Sequence, residues 1–135
     1  MHFTLKSRSS QVSHAAMVTM AHAIEQLVND RFAAAWGLCP ITASVGDTGA
    51  QEAVQCVFVN AGGPDGALGW HDDIGGTPII VDVAGAVWKA GGGLLEDNGT
   101  GLSVSSAFAH EVLETLVDSR AGDWVRLNRP SSSFA

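Results

Sequence analysis

The chain has 135 residues, 46% hydrophobic and 16% charged, with seven Lys plus Arg against fourteen Asp plus Glu and a formal net charge of −7. That length suits one domain with its own core and is short for two, and the apolar content excludes a disordered chain. The acidic balance speaks against a nucleic-acid or anionic-membrane surface, both of which need clustered cations, and no stretch reaches the roughly 18 apolar residues of a membrane span.

Residues 1–9 read as a polar, flexible arm without the apolar core of a secretory signal. Over 10–36, Met17, Met20, Ala21, Ile24, Leu27, Val28, Phe32 and Ala35 recur at steps of three and four, which predicts a long amphipathic helix. Gly37 supplies its stop and Pro40 blocks its continuation. Alternation of Ile41, Ala43 and Val45 with Thr42 and Ser44 predicts a half-buried strand. Asp47-Thr48-Gly49 is a turn, and the apolar, β-branched run 53–59 is a more deeply buried strand.

A loop over 60–66, a short strand over 67–71, a turn over 72–76 and a strand over 78–83 follow. Val87 and Trp88 open a segment that no period assigns. The glycine-rich stretch 91–101 reads as a long loop. Residues 103–117 read as a second helix, with Ser103 or Ser105 as N-cap. The tail carries Trp124 and Val125, and 126–135 look frayed. Helix, several strands and a late helix suggest an α+β domain spanning 1–135, with a small mixed sheet under packed helices.

The chemistry concentrates in Ala109-His110-Glu111-Val112-Leu113-Glu114-Thr115-Leu116-Val117-Asp118. His110 and Glu114 are four apart, so on a helix they project from one face. An imidazole and a carboxylate one turn apart grip one metal ion. Glu111, beside the histidine, then lies next to that ion as a base for water. This is the logic of the HExxH zinc helix, with Glu114 in place of the second histidine. Val112, Leu113 and Leu116 form the opposite, buried side. A solvated helix face is the bland alternative, but few residues in this chain are charged and four ionisable groups fall together here.

The segment Ser105-Ser106-Ala107-Phe108-Ala109-His110-Glu111-Val112-Leu113-Glu114-Thr115-Leu116-Val117-Asp118 resembles the SHExxExxxDP stretch of zincin-like putative metallopeptidases of bacteria and phages. Gly66-Ala67-Leu68-Gly69-Trp70-His71-Asp72 and Pro78-Ile79-Ile80-Val81-Asp82-Val83 resemble the GALGYHD and VFVD stretches of the phage members. This chain departs from the pattern at Ala109, usually Ser, and Ser119, usually Pro. The resemblance implies a zincin-like fold, His110 and Glu114 as metal ligands, Glu111 as general base, and Asp118 as third ligand. It also admits a non-catalytic role, because phage lineages keep such domains as virion parts.

Asp118 is two helical steps from His110, about 12 Å along an ideal axis. It ligates only if the helix ends near Val117; otherwise His71 or Asp123 must complete the site. His71-Asp72-Asp73 is either a metal clamp or a turn. Asp82, inside an apolar strand, either orients a ligand histidine or is a structural hydrogen-bond hub. His14 and His22 on the first helix read as solvent-exposed. Cys39 and Cys56 form no CxxC pair or disulfide framework, so both read as small core residues in a reducing compartment. Gly62-Gly63-Pro64-Asp65-Gly66 lacks the form of a phosphate loop. The tryptophans at 36, 70, 88 and 124 read as core anchors, with Trp70 also able to line a cleft.

The expected function is a metal-dependent hydrolase, most simply a peptidase, in which Zn²⁺ polarises water and Glu111 deprotonates it. The carboxylate-rich set is harder than a two-histidine zinc site and admits Mn²⁺ or Ca²⁺. The sheet edge near 67–71 offers an extended peptide or protein substrate a strand to pair with. The alternative is a phage tail or capsid component, with phage structural proteins as partners and a homo-oligomer as its mark. The expected location is cytoplasmic or virion-associated.

Overall fold

Phe3 and Leu5 are fully buried on a strand, β1 (His2–Ser7), which the computed structural model places inside a five-stranded sheet between β2 (Thr42–Val45) and β3 (Val54–Val59). The structure describes residues 1–46, 53–63, 66–74 and 77–117. The expected polar arm over 1–9 is therefore a core strand. Its apolar signal is only two residues, interleaved with His2, Thr4 and Lys6, and Thr4 is itself buried between the flanking strands β2 and β3.

The sheet runs β2-β1-β3-β5-β4, with β4 spanning Gly69–Ile74 and β5 Thr77–Val83. β1 pairs in parallel with β2 and β3, and β3 in parallel with β5; β4 is antiparallel to β5. The expectation of helices on a small mixed sheet is met. Residues 72–74, read from sequence as a turn, belong to β4. The Asp72-Asp73 pair, typical of turns, hid the second half of this edge strand from a sequence reading.

The first helix is α1 (His14–Leu27), which buries Ala16, Met17, Met20, Ala21 and Ile24 at the expected three- and four-residue steps. Ser13 caps it, its Oγ accepting from the Ala16 N–H at 3.1 Å. The helix passes through a π-helical turn (Val28–Phe32) into a short α2 (Ala33–Trp36) and stops at Gly37, whose φ of 69° is left-handed. Asn29 in the π turn grips Ile41, donating to its carbonyl at 3.0 Å and accepting from its N–H at 2.8 Å. That clamp leads the chain into β2.

The segment that no sequence period typed is a short helix, α3 (Ala84–Lys89), burying Ala84 and Val87. Six residues are too few to display a 3.6-residue repeat. The glycine-rich stretch after it is stitched to the last helix, α4 (Val104–Val117): Gly93 N–H donates to the Leu102 carbonyl, and the Val104 and Ser105 N–H groups donate to the carbonyls of Gly93 and Leu94. Gly93 is required there, since a Cβ would sit 1.8 Å from the Glu96 carbonyl oxygen.

Ser103 and Ser106 cap α4 reciprocally: each backbone N–H donates to the other's hydroxyl at 3.0 Å. Ser103→Ala is expected to lower folding stability by about 1 kcal/mol, read as a shift in the urea midpoint without a change of slope. The buried stripe of α4 is Val104, Phe108, Glu111, Val112 and Thr115. Phe108 meets Phe58 of β3 with ring centroids 5.5 Å apart. Leu113 and Leu116, expected on the buried side with Val112, are only partly buried.

Two further expectations are corrected. Trp36 and Trp88 are not core anchors, being 54% and 52% exposed, while Trp70 is partly buried with its ring where a Cβ on Gly63 would lie. Cys39 is exposed; Cys56 is buried, and its burial pushes the thiol pKa far up, which suits an inert core residue. Trp124, the Asp47-Thr48-Gly49 turn and the tail over 126–135 lie outside the described residues. Among the described residues no helix is long and apolar enough to cross a membrane.

Candidate metal centre

The site forms where α4 lies over the β4–β5 hairpin. Gly69 pairs with Asp82 and His71 with Ile80. Directly opposed residues of an antiparallel pair share a face, and alternate residues along each strand share it too. Gly69, His71, Ile80 and Asp82 therefore point to one face, and Glu111 of α4 lies on it: a Cβ added to Gly69 would stand 3.4 Å from Glu111 Cγ and 3.1 Å from the Val81 carbonyl oxygen. The glycine lets the helix carboxylate come down onto the strand.

His71 is the hub. Its Nδ1 is 2.9 Å from Glu111 Oε2 and 3.5 Å from Glu114 Oε2. The other oxygen of Glu114, Oε1, is 3.1 Å from His110 Nε2. Glu114 thus reaches one histidine with each oxygen. One ligand atom each from His71, Glu111 and Glu114 lie within 4.8 Å of one another. The side chains of His71 and Glu111 are 11% and 9% exposed, whereas His110 is 65% exposed at the rim.

The structure therefore brings together His71, His110, Glu111 and Glu114. The HExxE spacing pairs His110 with Glu114 as the sequence leads one to expect. His71, held in reserve from the sequence, stands against both carboxylates. Asp118 and Asp123 lie outside the described residues. Of the His71-Asp72-Asp73 alternatives, the turn is replaced by strand β4, and Asp72 points to the face opposite His71 because neighbouring residues alternate. His14 and His22 are exposed on α1, as expected.

Asp82 is 1% exposed, and neither of its carboxylate oxygens has a hydrogen-bond partner among the described residues. Burial, and then the negative charge of Glu111, push its pKa up to about 8. His71 Nε2 is likewise buried and without a partner. Sequence reasoning singled out Asp82 but left its role open, because the diagonal placement of Asp82 and His71 exists only once β4 and β5 pair.

His71, Glu111 and Glu114 could together hold a divalent cation. The donor set combines an imidazole with one buried and one half-exposed carboxylate converging within 4.8 Å, and a positive charge there would offset their mutual repulsion. A cleft of about 370 Å³, lined by Leu68, Gly69, Leu102, Ala107, His110 and Glu111, opens beside the cluster.

The β4 strand also offers backbone groups. The Val83 N–H donates to the Leu68 carbonyl, so the 68–83 pair exchanges ladder bonds and the Gly69–Asp82 and His71–Ile80 pairs do not. Gly69 and His71 thus turn their N–H and C=O outward, to the side of β4 that pairs with no strand among the described residues.

Comparison with protein-family models, with curated proteins and with solved structures finds no match to this chain.

Proposed function

We propose that this chain is a metal-dependent hydrolase of zincin-like type, most simply a peptidase, whose metal is held by His71, Glu114 and His110. The observation that supports this reading is the approach of His71 on β4 to both Glu111 and Glu114 on α4. A divalent ion there supplies Lewis acidity to polarise a carbonyl oxygen. Zinc is the first choice, and the carboxylate content also suits Mn²⁺ or Ca²⁺.

The remaining roles fall to the chain's own groups. Glu111 takes a proton from the attacking water and returns it to the leaving amine, from a carboxylate that lies beside His71 on the buried face of α4. Glu114, half-exposed and linked to both histidines, holds the two sides of the site together. The outward backbone groups of Gly69 and His71 bind an extended peptide by strand addition, which lays a scissile carbonyl beside the cleft.

Calorimetric titration of metal-stripped protein with Zn²⁺ tests the reading. Binding is expected, with stabilisation of about 2.7 kcal/mol at a free ion concentration a hundredfold above Kd. His71→Ala is expected to weaken binding at least tenfold. Asp118→Ala with that loss and His71→Ala without it moves the third ligand to Asp118. Absence of binding and of any thermal shift with Zn²⁺, Mn²⁺ or Ca²⁺ overturns the reading. Metal binding without hydrolysis across a broad peptide library favours the non-catalytic alternative, a phage structural component.

A further inference from the structure

Three buried polar atoms under α4 have no hydrogen-bond partner among the described residues: His71 Nε2 and both carboxylate oxygens of Asp82. A buried group left unpaired costs on the order of 1–3 kcal/mol, more when it carries charge, so three in one place call for an explanation. They are chemically complementary. An imidazole nitrogen can donate, and a carboxylate accepts.

They are also neighbours by register. Asp82 is opposite Gly69, two residues from His71 on the same strand and the same face. That is one diagonal step of the ladder, within reach of long side chains. Gly69 puts no side chain of its own between them, Glu111 Cγ lying over it instead, and Ile80, opposite His71, is fully buried on the same face. The other ring nitrogen of His71 is turned to the carboxylates of α4. The imidazole therefore has one nitrogen at the candidate metal centre and the other buried and unpaired, on the sheet face it shares with Asp82.

We propose that Asp82 is a positioning residue for the metal centre, accepting a hydrogen bond from His71 Nε2–H, directly or through one water, so that His71 Nδ1 presents its lone pair to the ion. This rests on the metal reading above. It assigns the buried aspartate to the arrangement in which a carboxylate orients a ligand histidine and strengthens it as a donor. Asp82 touches neither ion nor substrate. Its effect passes through the ring it holds.

The test compares full-length wild type, Asp82→Asn and Asp82→Ala. Zinc affinity is measured by competition with a chromogenic chelator, and the His71 ring is observed by nitrogen NMR of histidine-labelled, zinc-loaded protein. Asp82→Ala is expected to lower zinc affinity 10- to 100-fold, with Asp82→Asn intermediate because its amide oxygen still accepts. Wild-type His71 is expected to carry its proton on Nε2, and that proton is expected to exchange faster with solvent in Asp82→Ala. Zinc binding by wild type and Asp82→Ala with equal affinity overturns the positioning role and leaves the metal reading standing. A wild-type ring protonated on Nδ1 overturns it without recourse to any variant. Wild-type protein that binds no zinc overturns both.

Discussion

Glu111→Gln is expected to reduce peptide hydrolysis by at least 10²- to 10⁴-fold while leaving the zinc content of the purified protein unchanged. Glutamine keeps the length and shape of a side chain that is buried over Gly69, so the packing of α4 on β4 is preserved. What is lost is a carboxylate able to accept a proton beside His71. A base contributes to the transition state and not to ion affinity, so activity and metal content separate. Loss of zinc in parallel with activity would instead make Glu111 a ligand, which its presence in the same 4.8 Å cluster as His71 and Glu114 allows. Elemental analysis and a fluorogenic peptide assay on the same preparation decide between the two.

The second large effect concerns pH. Asp82 has its pKa raised from 3.8 to about 8 in the folded protein, by burial and then by Glu111. Above pH 4 the unfolded chain releases this proton while the folded chain retains it. The folded state then binds more protons, and stability must fall as pH rises. The decline is expected to begin near pH 4 and to level off above about pH 8, with an upper bound of about 6 kcal/mol at 1.36 kcal/mol per pK unit. Urea unfolding of metal-free protein at pH 5 and pH 8.5 measures it. Asp82→Asn, which has no proton to release, is expected to flatten this decline and to be the more stable protein at pH 8.5. A wild-type profile no steeper than that of Asp82→Asn would show that Asp82 is not the source. The same variant is expected to bind zinc more weakly, a trade of stability for function that buried site residues commonly show.

The sequence was legible wherever a signal was long or local. The three- and four-residue steps from Met17 to Val28 define a helix without ambiguity, Gly37 ends it, and Ser103 caps α4. The β-branched runs of β3 and β5 are equally direct. Short elements escaped. β1 shows only Phe3 and Leu5 among polar residues, the second half of β4 reads as turn chemistry, and α3 is shorter than two turns. In the site, the HExxE spacing gives His110, Glu111 and Glu114 because all three share one helix. His71 is forty residues from Glu111 and meets it only through the pairing of β4 with β5 and the docking of α4, which no periodicity encodes. Gly69, two residues before His71, was the available signal, since a glycine in a strand marks a close approach.

The position of β1 has a consequence for how the chain assembles. Its partners begin at Thr42 and Val54, so its first ladder bonds must wait until most of the preceding helix and loop have been made and closed into place. Parallel pairings of this range carry a large loop-closure cost and slow folding. The β4–β5 hairpin and α4 come from the contiguous stretch between Gly69 and Val117, so this half forms from nearer neighbours. The two halves are therefore expected to differ in timing, with the hairpin and α4 gathered early and β1 entering late. Until it does, the apolar faces of β3 and α1 that it helps seal are open to other chains, and the interval before β1 docks is when this protein is most prone to aggregate.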